Sequence, residues 1–248
     1  MKLRLDLHIH SHHSPDGSMT AQEIAVRARD AGLNGVAFCD HDCAFPAAEL
    51  AEIQAAFPDM IFIPGAELST DCGHLLGWFV TRPIEARTLS EAVAEIHGQG
   101  GIAVLAHPFE HTKSPERLQK AAPYVDGIEI WNSRAERKNR RANAMAREFA
   151  AAHGLRGFAG SDAHTPYEIG NGVTVVQYET APGVTGVNAD ALKAALLSDG
   201  VRTEGRRSKA VWTAASQLTR RKKTGARPLS YCKWALFAVK CVLEDLFR

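Results

Sequence analysis

The chain has 248 residues, 45% hydrophobic and 23% charged. That composition fits a globular protein with a real core and excludes a disordered chain, a collagen-like repeat and a disulfide-stapled miniprotein. The net charge of +1 hides a split: residues 200–248 hold twelve Lys and Arg against three acids, so the preceding 199 residues are acidic. The five cysteines (Cys39, Cys43, Cys72, Cys232 and Cys241) are scattered and odd in number. They read as free thiols in a reducing compartment, so the expected location is cytoplasmic. The first residues lack a signal-peptide core, and the longest apolar stretch, 234–243, is too short to span a bilayer.

Leu3, Leu5 and Leu7 alternate with Arg4 and Asp6 and predict a strand. Thr20 with Glu23 three residues on is a capping box, opening a helix that stops at Gly32. A strand over 35–39, a helix over 45–57 and a strand over 60–63 follow. Residues 75–80 predict a locally paired strand, 89–97 a helix and 102–106 a strand. Then come a strand over 125–130, a charged helix over 135–153, strands over 156–159 and 173–177, and a helix capped by Asn188. This recurring strand–helix rhythm predicts an α/β fold with a mostly parallel sheet. No glycine-rich dinucleotide fingerprint follows the first strand, so a closed or distorted barrel is the better expectation. In barrels the chemistry sits at the C-terminal ends of the strands.

The polar residues obey that rule. His8 and His10 end the first strand, and period-two alternation puts both imidazoles on one face. Asp40 and His41 end the second, Glu67 follows the third, and His107 ends 102–106. Asp162 and His164 follow 156–159, Asp16 lies in a Gly-containing turn, and His74 completes nine candidate metal ligands. Imidazole and carboxylate without thiolate suit Mn, Zn or Fe. No nucleophile elbow is present, so hydrolysis by metal-activated water is favoured over a covalent intermediate. Outside this set, His12, His111 and Arg134 are expected to touch substrate. The first two are candidate general acids, and Arg134 is a phosphate clamp. Asp40 and Asp6 are expected to orient ligand histidines.

Taken together, DLHIHSHHSPDGSMT (6–20), AFCDHD (37–42), PGAELS (64–69), LAHP (105–108) and GSDAH (160–164) resemble the polymerase and histidinol phosphatase (PHP) superfamily. The resemblance covers about residues 2–177 and implies a distorted (β/α)7 barrel holding two or three divalent ions. It assigns His8, His10, Asp16, His41, Glu67, His74, His107, Asp162 and His164 as ligands, with Glu67 bridging. On this reading His8, His10 and Asp162 share one ion with Glu67, His74 and His107 share another, and Asp16, His41 and His164 surround a third. His8, His10, Glu67 and Asp162 would then be central to catalysis. The implied activity is metal-dependent hydrolysis of a phosphomonoester, a small phosphorylated metabolite or nucleotide, by a metal-activated hydroxide. The alternatives are a 5′–3′ exonuclease or nucleoside-bisphosphate phosphatase acting on nucleic-acid ends, and a non-catalytic metal-binding module. The 75–88 connection is short, which predicts an open cleft, and Asn132 stands where some members place a further ligand.

The organisation expected is a catalytic domain over 1–203 and a basic extension over 204–248. In the extension Leu236, Val239, Leu243 and Leu246 recur at helical spacing, marking an amphipathic helix over 229–247. Three roles stay open for it: docking on the barrel, lying on an anionic membrane surface, or holding nucleic acid through its basic run.

Overall fold

The computed structural model describes residues 1–111, 115–179 and 187–247. The chain forms β1 (Lys2–Ile9), α1 (Ala21–Asp30), β2 (Gly35–Phe38), α2 (Ala47–Ala56), β3 (Ile61–Ile63), β4 (Gly65–Thr70) and β5 (Gly73–Trp78). It continues through α3 (Leu89–Gly98), β6 (Ile102–Leu105), α4 (Pro115–Ala121), β7 (Gly127–Asn132), α5 (Ala142–His153) and β8 (Arg156–Gly160). It ends with β9 (Gly172–Gln177), α6 (Ala189–Leu196), β10 (Arg202–Gly205), α7 (Ala210–Lys223) and α8 (Pro228–Leu246). Local chemistry sets several boundaries. The Thr20–Glu23 capping box opens α1, and the Asn188 side chain accepts from the Asp190 and Ala191 amides to open α6. The charged segment read as one helix over 135–153 is broken: a short 3-10 turn, Ala135–Arg137, precedes α5.

The expected distorted (β/α)7 barrel is not formed. The strands make two open five-stranded sheets, ordered β10-β9-β1-β2-β3 and β4-β5-β6-β7-β8. β1, β2 and β3 are parallel, as are β6, β7 and β8, but β9 runs antiparallel to β1 and β5 antiparallel to both β4 and β6. Both edges of β1 are taken, by β2 and the antiparallel β9, which leaves β8 no ladder onto it, and β4 meets the segment after β2 at an isolated bridge rather than a ladder. β4 itself turns back on β5 through Gly73, whose φ of +117° a side chain would strain. Among the described residues two isolated backbone bridges link the sheets, Ile9 with Ala163 and His41 with Glu67.

Side chains replace the missing ladders. Thr174 Oγ1 accepts from the Ala159 amide and donates to the Ala159 carbonyl, both at 2.9 Å, which ties β9 to β8. Asp6 accepts from the Ser161 amide at 2.9 Å and the Gly170 amide at 2.8 Å. Gly172 permits this approach, since a Cβ there would lie 2.1 Å from the Gly160 carbonyl oxygen. Between the sheets lies an apolar core of Leu3, Leu5, Leu7, Leu76, Trp78, Val104 and Phe158. The Trp78 indole crosses it and donates to the Leu7 carbonyl at 3.0 Å. Ile24, Phe38 and Ile53 pack α1 and α2 on the first sheet, while Leu75, Ile96 and Ile128 pack α3 and α5 on the second. β10 pairs with β9 across the expected 203/204 boundary, and α7 and α8 pack together as a hairpin.

Candidate metal centre

All nine expected ligands meet at one end of the sheets, around Glu67. Glu67 is buried, and its two oxygens face different groups. Oε1 lies 2.9 Å from both His74 Nδ1 and His107 Nε2; Oε2 lies 2.8 Å from His41 Nδ1 and 3.5 Å from His10 Nε2. His8 Nε2 and His10 Nε2 stand 3.1 Å apart. Asp162 Oδ1 is 3.3 Å from His10 and 3.8 Å from His8. Asp16 Oδ1 lies 3.4 Å from His164 Nε2 and 3.5 Å from His41 Nε2. Among the described residues, four overlapping triads have ligand atoms near enough to share an ion: His8/His10/Glu67, Glu67/His74/His107, His8/His107/Asp162 and His10/His41/His164.

Strand ends produce this convergence. His8 leaves β1, His41 follows β2, Glu67 lies in β4 and His74 in β5, and His107 follows β6. His107 and Asp162 have left-handed backbones, φ +26° and +56°, a costly conformation for non-glycine residues that occurs where function fixes a side chain's direction.

The arrangement fits divalent cations. Asp16 Oδ1, Glu67 Oε2 and His74 Nδ1 are buried without a hydrogen-bond partner, although charged nitrogens and oxygens surround them. Such atoms are costly unless something binds them. Cation demand shows in the proton affinities too. Burial opposes charge on His41, yet Glu67 and Asp16 raise it to about 11; burial likewise opposes His107, which Glu67 and Glu110 raise to about 9. Burial works against the Glu67 and Asp162 anions, but the surrounding imidazoles hold both well below the usual carboxylate range. His10 moves the other way, pushed down by burial and by His164 and His41. Carboxylates that recruit charge from imidazoles offer the same field to metal ions.

A second set of polar groups orients the ligands. Glu129, which sequence reasoning did not single out, accepts from or shares a proton with His8 Nδ1 at 3.0 Å, and its other oxygen accepts from the His107 amide. The signal was a buried acid in an otherwise apolar strand. Asp40 reaches the ligands through serines rather than directly. It accepts from the amides and hydroxyls of Ser11 and Ser14, and Ser14 Oγ lies 3.0 Å from His10 Nδ1. Asp6 serves the sheet seam and contacts no ligand imidazole. Asn132 is buried; its amide donates to Glu129, and its oxygen accepts from the Arg134 and Ala135 amides.

Seven of the nine line a cleft of about 530 Å³, and His8 and His10 are buried behind them. His111 lines it, whereas the His12 side chain is exposed outside it, near His13 and Glu49. Arg134 also lines it, but its Nε and Nη2 donate to the two carboxylate oxygens of Glu168 at 2.6 and 2.7 Å. Its remaining contacts, to Ser216 Oγ and the Trp212 carbonyl, anchor α7. The cleft is less open than the short 75–88 connection predicts, because α7 and the first turn of α8 supply a wall through Thr213, Gln217, Arg220 and Ser230. Lys223 secures that wall by donating to the carbonyls of His12, Ser14 and Gly17, at 2.6, 2.9 and 2.7 Å, on the loop that carries Asp16.

A PHP domain model matches residues 6–104 and a PHP-associated model residues 140–198. An uncharacterized protein of Methanocaldococcus jannaschii is 29% identical, over 68% of each chain. A two-domain protein of Bacteroides vulgatus containing a predicted PHP-like metal-dependent phosphoesterase superposes with a TM-score of 0.67 at 17% identity, covering 88% of this chain and 70% of that one. PsfC of Pseudomonas syringae superposes at 0.63 with 18% identity, covering 89% and 98%. At these identities the structural likenesses establish the fold. With the cluster around Glu67, they define an α/β fold carrying a candidate metal centre. The chain belongs to the PHP-domain superfamily. Both family models stop before α7, so the wall of the cleft lies outside them.

Proposed function

We infer that the protein is a metal-dependent phosphoesterase acting on a small phosphomonoester. The convergence of eight imidazole and carboxylate side chains on Glu67, at the floor of a bounded cleft, carries this reading. Glu67 is suited to bridge, since its two oxygens face separate imidazole groups. His74 and His107 serve one side, His41 and His10 the other, and Asp162 and Asp16 close the set. Two or three ions of Mn, Zn or Fe suit these donors, as no thiol joins them. Cys39 is buried, donates to the Leu7 carbonyl, and its thiol is pushed up by burial.

Divalent ions held here would supply an activated water and neutralise charge during in-line displacement at phosphorus. The chain's own residues bind and orient the ester. Arg220 lines the cleft, and its guanidinium has no hydrogen-bond or ion-pair partner among the described residues, so it is available to phosphate oxygens. Arg134 takes no such part, because Glu168 holds its fork. His111, which lines the cleft beside Lys138 and Glu110, would protonate the leaving oxygen. The cleft's volume lies in the range of small-ligand sites, roughly 300–1,000 Å³, which favours a metabolite or nucleotide over a polymer.

The test is phosphate release by Mn-, Zn- or Fe-loaded protein on sugar phosphates, nucleotides, nucleoside bisphosphates and 5′-phosphorylated oligonucleotides. Turnover of a small ester that Asp162→Ala abolishes is expected. Preference for oligonucleotides over every monomer would replace this reading with a nuclease.

A further inference from the structure

The apolar stripe on α8 faces away from the protein. Leu236, Val239, Leu243 and Leu246 are 75, 59, 49 and 71% exposed, and Leu229, Val242 and Phe247 are exposed beside them. Seven of the eleven large exposed hydrophobic residues described therefore lie on or next to this one helix. A different side of α8 does the docking. Trp234 donates to the Ala214 carbonyl, Phe237 lies under the Arg137 guanidinium, Cys241 is buried, and Asp245 accepts from the Ala210 and Val211 amides that open α7. The helix is thus apolar on two sides, and only one is covered.

Charge identifies what covers the other. Between Glu204 and Glu244 the sequence has no acidic residue, against ten Lys and Arg. Lys222, Arg227, Lys233 and Lys240 are all exposed. The two acids at the end of α8 point inward: Asp245 caps α7, and Glu244 lies 3.8 Å from Arg137. Leu229, Leu236 and Leu243 are spaced by sevens, as in a coiled-coil seam. In that seam Lys233 and Lys240 would flank the contact, and a second copy of α8 would bring no acid to meet them. An anionic lipid surface answers both the apolar stripe and its basic flanks. No helix among the described residues is long and apolar enough to cross a membrane, so α8 would lie in the interface.

We propose that α8 docks the protein on an anionic phospholipid bilayer, with Leu229, Leu236, Val239, Leu243 and Leu246 entering the acyl boundary and Lys233 and Lys240 meeting the headgroups. Thr224 and Ala226, in the turn leading into α8, and Ser230, in its first turn, line the cleft, so the metal centre opens beside the bound face.

The experiment is co-sedimentation of the full metal-loaded chain with vesicles of phosphatidylcholine, alone or mixed with phosphatidylglycerol, over a salt series. Light scattering of the same samples follows oligomeric state. Binding to the anionic vesicles, weakened by salt, is expected. Leu236→Glu with Leu243→Glu should reduce partition by at least about tenfold, and Lys233→Gln with Lys240→Gln by roughly tenfold. Metal content and circular dichroism should be unchanged in both, since the altered side chains are exposed. Absence of binding to anionic vesicles at low salt overturns the proposal. A dimer dissolved by the Leu236→Glu/Leu243→Glu pair, without vesicle binding, overturns it in favour of a second copy.

Discussion

The floor of the cleft and the outer face of α8 both invert the usual sorting of side chains, in opposite senses. The floor buries carboxylates and imidazoles that leave Asp16 Oδ1, Glu67 Oε2 and His74 Nδ1 without hydrogen-bond partners. The outer face of α8 exposes leucines that a folded chain normally covers. A buried polar group without a partner and an exposed apolar patch are the informative departures from the rule. The first points to something small and charged that binds inside. The second points to something large and apolar that binds outside. Between the two regions, α7 belongs to both: Lys223 and Arg134 fasten it to the floor, and Trp234 and Asp245 fasten α8 to it.

That contrast breaks most sharply at Glu67. Glu67→Ala should lower metal-dependent phosphate release by at least about 10³-fold, more than the roughly 10–100-fold typical of a partner outside the ligand set. Metal analysis should show ions lost in parallel; retention of activity would place the chemistry elsewhere. Next in size, Glu168→Ala leaves the Arg134 guanidinium buried without its bidentate partner and should destabilise by about 3–5 kcal/mol in urea unfolding. Because Arg134 also holds Trp212 and Ser216, limited proteolysis should then cut α7 sooner. Metal loading should raise stability by about 2.7 kcal/mol at a hundred times the dissociation constant, and chelator should remove that increment. A melting temperature indifferent to metal would contradict the ligand role of the unpaired floor atoms.

Glu129→Gln keeps the shape but removes the charge behind His8, and should weaken metal affinity about 10–100-fold, read by competition with a chromogenic chelator. The smallest effect falls on the hinge between the regions. Lys223→Ala should cost about 1 kcal/mol, since the side chain is exposed, while raising KM and leaving vesicle binding intact. If it lowers kcat alone, the wall acts on the chemistry rather than on binding.

The floor was readable because metal chemistry demands particular residue types. His8, His10, His41, Glu67 and Asp162 sit at strand ends, where period-two spacing and short loops leave their side chains little choice of direction. What stands behind them was harder to see. Glu129 is one acid in an apolar strand, and Asp40 acts only through Ser14, a relay that no spacing encodes. Arg134 has the chemistry of a phosphate clamp, but Glu168, 34 residues away, takes its fork. His12 lies two residues from a ligand and still faces the other side of its loop.

Sequence by itself determined the α/β rhythm, the capping of α1 and α6, the nine candidate ligands that gather at one end of the sheets and the amphipathic character of α8. Each follows from local periodicity or from a side chain's own chemistry. Only the tertiary structure decided that the strands form two open sheets rather than a barrel, because closure depends on which strand takes the second edge of β1, and here the antiparallel β9 takes it. It also decided that α7 walls the cleft and which side of α8 is covered. Helical spacing marks Leu236, Val239, Leu243 and Leu246 as one face, but a helix with two apolar sides buries whichever one fits its neighbour. Here Trp234, Phe237 and Cys241 pack against α7, and the regular leucine face is left outside.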